Sequence, residues 1–165
     1  MVFITGATGF IGAHLLYCLV NEGNEVVAIK RATSDLQYVK RVFEFYTSDY
    51  DSLFRKIRWI DGDIMEYDTL LENMKGADEI YHGAAMVSFD PGDKYRMLQT
   101  NIRGTANVVN AALENGVEKL AYISSVAALD PPKEGQVITE EFFGNFPHRY
   151  SNYGESKFQS ELEVW

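Results

Sequence analysis

The sequence predicts an α/β fold with a doubly wound parallel sheet, and two patterns support this. The first is a β-branched run that ends in a glycine-rich turn and continues at once as an apolar-periodic helix, from Val2 to Val20. The second is the alternation of strand-like apolar runs with helical segments along the 165 residues. Strands that alternate with helices form βαβ units around a parallel sheet. The length fits one domain over residues 1–165.

The charge balance excludes several classes of partner. With 24 acidic and 15 basic residues the net charge is −9, whereas nucleic acids and anionic membranes attract clustered Lys and Arg. The sequence has neither an 18-residue apolar run nor a basic segment leading into an apolar one, so we expect no membrane span and no signal peptide. We therefore expect a small-molecule substrate and a cytoplasmic location.

Cysteine and histidine usage indicates no metal or thiol chemistry. Cys18 is the single cysteine and falls within the first apolar helix. We expect it to be a buried small hydrophobe rather than a nucleophile. The three histidines, His14, His82 and His148, show no ligand spacing, so we expect no metal site.

The glycine-rich turn is the first candidate site. A glycine at its start permits a sharp bend, the next leaves no Cβ against an approaching pyrophosphate, and the third permits close helix packing. The free N–H groups at the helix N-terminus attract an anion. A glycine-rich turn without function is the alternative. We expect the cofactor to contact Gly6, Thr8, Gly9, Phe10, Ile11 and Gly12.

The end of the second predicted strand indicates which dinucleotide binds. Glu25 to Ile29 is an apolar run typical of a strand covered on both faces, and Lys30 and Arg31 follow it. An acidic residue at this place accepts hydrogen bonds from the ribose of NAD, whereas two cations pair with a 2′-phosphate. We therefore expect NADP, with NAD as the other possibility. The alternative is a pair of solvated surface cations.

The rest of the chain continues the alternation. We expect one or two helices over Asp35 to Lys56, further helices over Met65 to Met74 and Tyr95 to Asn115, and strands over Ile57 to Ile60, Ala77 to Tyr81 and Glu118 to Ser124. The buried stripe of the long helix is predicted at Leu98, Ile102, Thr105, Val109 and Ala112. Ala127 to Arg149 is predicted to be a long functional loop.

A second candidate site follows that loop. Tyr153 and Lys157 are four residues apart at the start of a helix that begins near Tyr150, so they share one face. A phenol is a poor acid and base at neutral pH, but a nearby ammonium favours its ionised form. Ser125, at the carboxyl end of the fifth strand, is placed to hold a substrate oxygen beside the phenol. These residues predict hydride transfer with protein groups that handle the proton.

The motifs and their order resemble the extended short-chain dehydrogenase/reductase family, of the NAD-dependent epimerase/dehydratase type, over the whole chain. They are T-G-x-x-G-x-x-G, H-G-A-A, N-x-x-G-T, S-S and Y-x-x-x-K. The sequence looks most like bacterial relatives of dihydroflavonol reductase. The resemblance implies a Rossmann fold, Asp63 and Ile64 along the adenine ring, Ala84, Ala85 and Ser124 near the cofactor, and Asn101 as a support of the catalytic residues Ser125, Tyr153 and Lys157. For Asp63, a helix N-cap is the alternative.

Family members continue far beyond Tyr-x-x-x-Lys, so we expect this chain to be truncated before the last strands and the substrate domain. We also expect self-association through an apolar stripe at Phe158, Leu162 and Trp165, with weak dinucleotide binding and no turnover by the chain alone. A homo-oligomer is expected. Two other functions stay open: a nucleotide-sugar epimerase or dehydratase with tightly held NAD, and a non-catalytic dinucleotide-binding module. The residues do not identify the substrate.

Overall fold

The sheet confirms the predicted α/β class. The computed structural model describes residues 1–129, 132, 134–135, 137–139 and 151–165. In this part of the chain five parallel strands pair in the order β3-β2-β1-β4-β5. From the central β1 the chain moves first to one side and then to the other, which makes the sheet doubly wound. The strands are β1 (Val2–Thr5), β2 (Val26–Lys30), β3 (Arg58–Asp61), β4 (Glu79–His82) and β5 (Lys119–Tyr122).

Seven α-helices accompany these strands in the described residues. Each predicted strand begins and ends within two residues of an observed one, and the segment over residues 35–56 forms two helices. The helices are α1 (Phe10–Asn21), α2 (Leu36–Tyr46), α3 (Tyr50–Phe54), α4 (Tyr67–Asn73), α5 (Lys94–Leu98), α6 (Gly104–Glu114) and α7 (Asn152–Val164). Tyr150 and most of the predicted loop over residues 127–149 lie outside the described residues.

The chain divides into two compact units, and each is described by itself below. The first unit comprises Met1–Ala85 with Asn107–Ile123, and it contains the sheet. The second comprises Met86–Ala106 with Ser124–Trp165, and it contains α5 and α7. The single domain over residues 1–165 stays a prediction.

The core of the first unit lies on both faces of the sheet. Along β1, Val2 and Ile4 belong to one buried cluster with Leu16 and Phe43, while Phe3 belongs to another with Leu70. Successive strand residues point to opposite faces, so a strand covered on both sides is apolar throughout. β1 is therefore held firmly at the position from which the glycine-rich turn departs.

The predicted long helix has an interruption and a different buried face. A π-helical turn, Gln99–Arg103, separates α5 from α6. Leu98, Ile102 and Val109 are only partly buried, contrary to the predicted stripe. The stripe was right at Thr105 and Ala112, which are buried, and wrong at these three positions, where the residue one position earlier is buried instead. One of those residues, Asn101, is held by hydrogen bonds that an apolar pattern does not reveal. The buried positions of this segment include Met97, Asn101, Thr105, Val108 and Ala112.

Cys18 is exposed, which corrects the prediction that it is buried. The buried residues of α1 include Leu16, Leu19 and Val20. Cys18 lies two positions after the buried Leu16. In a helix of 3.6 residues per turn this spacing is a rotation of roughly 200°, so Cys18 faces away from the side on which Leu16 is buried.

Candidate dinucleotide site and catalytic cluster

The glycine-rich turn is built from backbone groups at the carboxyl end of β1. Gly9 is the N-cap of α1, and no side chain caps this end of the helix. The first turn of α1 carries no acidic residue. Its leading N–H groups precede the first intrahelical bond, from Ala13 N–H to the Gly9 carbonyl at 2.9 Å. Unpaired N–H groups and the positive end of the helix dipole suit an anion such as a pyrophosphate.

The three glycines of the turn serve different purposes. Gly6 has a φ of +74°, and a Cβ there would lie 2.6 Å from the Gly83 carbonyl oxygen. A Cβ on Gly12 would lie 2.0 Å from the Gly6 carbonyl oxygen. A Cβ on Gly9 would have a single close neighbour, the Gly6 oxygen at 3.3 Å, and the Gly9 backbone is ordinary extended chain. Folding therefore requires glycine at positions 6 and 12, whereas the exposed Gly9 leaves room for a ligand.

The surroundings of the turn match its predicted contacts in part. Thr8 is partly buried, whereas the side chains of Phe10 and Ile11, 72% and 56% exposed, are open to solvent at the start of α1. Such exposed apolar side chains at an anion-binding helix end suit contact with the flat parts of a dinucleotide. The exposure and the apolar character of these side chains are therefore suited to a bound dinucleotide.

A buried network ties β1 to β4 beneath the turn. The Thr5 hydroxyl lies 2.6 Å from His82 Nδ1 and accepts a hydrogen bond from Ala84 N–H at 3.2 Å. Thr5 and His82 are fully buried. This contact fixes the orientation of the His82 ring. Ala84 belongs to the segment that passes close to Gly6, and Ala85 is exposed.

The cations after β2 have different environments. Lys30 forms an ion pair with Asp61, its register partner on β3. Arg31 is exposed, and its side chain has no ion pair or hydrogen bond among the described residues. Lys30 thus shares its charge with a carboxylate, and Arg31 is the cation still available to a ligand at this edge.

Asp63 and Ile64 follow β3 in a turn before α4. Asp63 Oδ1 accepts a hydrogen bond from Met65 N–H at 3.0 Å, while the N-cap of α4 is Glu66. The N-cap alternative for Asp63 is therefore wrong, because its carboxylate closes a turn three residues earlier. Ile64 is buried, and its carbonyl accepts from Asn107 Nδ2 at 2.9 Å.

In the second unit, the start of α7 is pressed against the segment that follows Ser125. Ser151 is the N-cap of α7, and its Oγ accepts from Gly154 N–H at 2.9 Å. A Cβ on Gly154 would lie 2.3 Å from the Ala127 carbonyl oxygen. Only a glycine permits this approach of the first turn of α7, which carries Tyr153, to the short 3₁₀ helix after Ser125.

Lys157 lies one helical turn after Tyr153 and is 2% exposed. Burial lowers the pKa of its ammonium to about 8, and the charge of Glu161 acts in the opposite direction. The same face of α7 buries Ser156 and Ser160. A lysine in this environment changes its charge close to the physiological range, as catalytic lysines do.

Asn101 fixes the π turn to its neighbours. Its amide nitrogen donates to the Met86 carbonyl at 2.9 Å and to Ser156 Oγ at 2.8 Å, and its oxygen accepts from Met86 N–H at 2.7 Å. Both amide hydrogens are thus committed to the protein. Asn101 thus holds α7 through Ser156, while its role as a support of the catalytic residues stays a prediction.

Ser124 and Ser125 have different hydrogen-bonding capacities. Ser124 Oγ donates to Glu161 Oε1, so its proton is committed to a carboxylate. Ser125 Oγ accepts from Ala127 N–H at 3.2 Å, and this bond leaves its proton available for a substrate oxygen. Ser125 is therefore suited as a donor and Ser124 as an acceptor.

Sequence reasoning missed three residues of this cluster. Gly154 stands between the tyrosine and the lysine, Ser156 binds Asn101, and Glu161 binds Ser124. A glycine in the first turn of a helix was the one available signal, since Gly is unfavourable inside helices.

Comparison with known families decides the assignment. The model of the NAD dependent epimerase/dehydratase family matches residues 2–165. The chain belongs to this family. The family resemblance and the fold predicted from the sequence are thereby confirmed.

Similar members of the epimerase/dehydratase family include reductases. A putative dihydroflavonol 4-reductase of Synechocystis sp. is 31% identical over 162 residues, 98% of this chain and 43% of that protein. The solved structure of gox2253 is 32% identical with a TM-score of 0.83, over 99% of this chain and 46% of that one. WbmH of Bordetella bronchiseptica, solved in complex with NAD+, is 27% identical with a TM-score of 0.76, over 99% and 50% of the two chains. The chain thus spans about half the length of these relatives.

The described residues offer neither a metal site nor a membrane span. They contain no group of three or more His, Cys, Asp or Glu side chains arranged to hold a metal ion. They also contain no helix that is both long and apolar enough to span a bilayer.

Proposed function

We propose that the protein is an NADP(H)-dependent reductase that transfers a hydride between the cofactor and a ketone or alcohol, as a dihydroflavonol reductase-like enzyme. The observation that carries this proposal is the buried Lys157, with its lowered pKa, one turn after Tyr153 on α7. Burial of an ammonium is costly, and groups with such perturbed pKa values cluster at functional sites. The partner of Lys157 in the proposed function is the phenol of Tyr153, which serves as general acid and base.

In this proposal, separate residues bind the cofactor, hold the substrate and transfer the proton. The turn formed by Gly6, Thr8, Gly9, Phe10, Ile11 and Gly12 binds the pyrophosphate, with Asp63 and Ile64 at the adenine. When bound, the nicotinamide supplies or accepts the hydride. Ser125 donates a hydrogen bond to the substrate oxygen and keeps its proton. Tyr153 gives a proton to that oxygen during reduction and takes one during oxidation, while the Lys157 ammonium favours the ionised phenol.

The preference for NADP(H) is assigned to Arg31. The free guanidinium suits a bidentate contact with a 2′-phosphate, while Lys30 is shared with Asp61. Replacing Arg31 by Ala removes a charge-assisted contact of about 1.5–3 kcal/mol, so NADPH binding should weaken roughly 10- to 100-fold. NADH binding should change little. Fluorescence titration with both cofactors tests this.

Arg55 offers a matched control for that titration. It is an exposed arginine at the C-cap of α3, and its described ion pair is with Asp51 of that helix. Arg55→Ala should leave both affinities unchanged. Equal losses for NADPH and NADH in Arg31→Ala would make Arg31 a structural residue, and tighter binding of NADH than NADPH by the parent chain would reject the NADP preference.

A second candidate is a nucleotide-sugar epimerase or dehydratase that keeps its NAD bound. The match to the NAD dependent epimerase/dehydratase family model supports this activity, and WbmH, solved in complex with NAD+, supports NAD as the cofactor. Such an enzyme retains cofactor through purification, whereas the proposed reductase exchanges it, so extraction and identification of bound nucleotide distinguishes the two. A binding module without catalysis is the third possibility, and Tyr153 together with Lys157 speaks against it.

We further propose a homo-oligomer in the reducing cytoplasm. Leu162, 54% exposed on α7, supports an apolar contact surface on this helix. Light scattering at several protein concentrations tests the association.

A further inference from the structure

Glu161 is connected to the proposed catalytic residues by its position on α7 and by a hydrogen bond. It lies one helical turn after Lys157 on α7, at the i+4 position. Its carboxylate accepts the hydroxyl proton of Ser124, which follows β5. Glu163, two residues further on, is exposed and has no described side-chain partner among the ion pairs and hydrogen bonds of α7.

We propose that Glu161 is a positioning residue of the Tyr153–Lys157 site, which keeps the Lys157 ammonium charged and presents Ser124 to the ligand as a hydrogen-bond acceptor. This inference rests on the proposed function for its role in catalysis. The Ser124–Glu161 hydrogen bond and the Lys157–Glu161 spacing both belong to the second unit and do not depend on a bound cofactor.

The charge of Lys157 needs such a partner. Burial alone favours the neutral amine, and the Glu161 carboxylate opposes that effect. With a pKa of about 8, Lys157 is mainly charged at pH 7.5. A further fall of about one unit would leave it mainly neutral and remove the charge that favours the phenolate.

The other charged groups on the segments packed against α7 have partners or face solvent. Lys94 on α5 lies 3.4 Å from Glu155 Oε2 of α7. Arg103 of the π turn donates to Gln99 Oε1 at 3.2 Å, and Arg96 is exposed. The short helix Val126–Ala128 carries no ionisable side chain. In the part of the chain that the structure describes, the Glu161 carboxylate is the charge that raises the pKa of Lys157.

The bond from Ser124 to Glu161 also fixes what Ser124 offers a ligand. A hydroxyl has one proton and two lone pairs, so a serine that donates to a carboxylate is left as an acceptor. An acceptor suits the hydroxyl and amide N–H groups of a nicotinamide nucleoside. Loss of the carboxylate would free the hydroxyl to rotate and to donate.

The decisive experiment measures the Lys157 titration by NMR with ¹³Cε-labelled lysine, assigned with Lys157→Arg, and needs no cofactor. Glu161→Gln keeps the size of the side chain but removes its charge, and its neutral amide oxygen accepts the Ser124 hydrogen bond more weakly than a carboxylate does. We expect the Lys157 pKa to fall by about one unit in Glu161→Gln and to stay in place in Glu163→Gln. Equal values in Glu161→Gln and the parent would overturn the inference.

Two further variants separate the two roles of Glu161. Glu161→Asp keeps the charge but shortens the reach to Ser124, so the Lys157 pKa should be retained while NADPH binding weakens. Ser124→Ala and Glu161→Gln should each weaken NADPH binding about 3- to 10-fold, with a double variant weaker by less than the product. Additive losses would contradict action through Ser124. Absence of NADPH binding by the parent would reject the proposed function, and the NMR titration would still decide the Lys157–Glu161 coupling.

Discussion

The glycine-rich turn of the first unit and the Lys157 cluster of the second unit are built on opposite principles. The turn offers backbone N–H groups and a helix end, with no charged side chain in the first turn of α1. The cluster contains the buried polar side chains of Asn101, Ser156 and Lys157, and Asn101 donates a hydrogen bond to Ser156. Backbone groups do not titrate, whereas a lysine with a pKa of about 8 does. The binding of a pyrophosphate at the turn should thus be insensitive to pH, whereas the rate of catalysis should vary with pH.

The largest expected effect concerns the cluster. In the full-length protein, Tyr153→Phe should lower turnover by about 10²–10⁴ because it removes the general acid and base. Cofactor affinity should barely change, since the turn is untouched. Steady-state kinetics and NADPH titration measure the two effects, and turnover within a few-fold of the parent would remove Tyr153 from this role.

A smaller effect is expected from Asn101→Ala. It leaves the Met86 N–H and carbonyl and the Ser156 hydroxyl without their partner, which should cost about 2–4 kcal/mol of the free energy of unfolding. Asn110→Ala on the exposed face of α6 is the control and should cost less than about 1 kcal/mol. Urea denaturation gives both values. Similar costs for the two variants would show that the buried network contributes little.

The smallest effect is a gain in stability. Lys157→Met removes the desolvation penalty of a buried ammonium and should raise the free energy of unfolding by about 1–3 kcal/mol at pH 7. The pKa of Lys157 falls from 10.5 to about 8 on folding, so the unfolded chain binds more protons in this range. The stability of the parent should therefore rise with pH between these values, and the advantage of Lys157→Met should shrink. A constant difference from pH 7 to pH 10.5 would contradict the shifted pKa.

The difference between the turn and the cluster also explains which parts of the fold and of the candidate site could be predicted from the sequence. The strands and the turn were predictable because β-branched runs and glycine spacing encode backbone geometry directly. The cluster was predictable only at Tyr153, Lys157, Asn101 and the serines, through family motifs. Glu161 looked like one acidic residue among several on a helix, because its contact with Ser124 joins positions 37 residues apart. The buried stripe of the long helix was right only at Thr105 and Ala112, since an apolar pattern does not reveal a hydrogen-bonded residue such as Asn101 at a buried position.

The glycines of the turn allow the most direct test of the claim that this turn binds a dinucleotide. Gly9→Ala and Gly12→Ala add the same methyl group three residues apart, 3.3 Å and 2.0 Å from the Gly6 carbonyl oxygen. Urea denaturation and NADPH titration of both variants form one measurement. Gly12→Ala should lose about 3 kcal/mol or more of stability, since a rigid backbone contact has to move. Gly9→Ala should stay within about 1 kcal/mol of the parent and bind NADPH at least about 10-fold more weakly. A folded Gly9→Ala chain that binds NADPH as tightly as the parent would contradict the account.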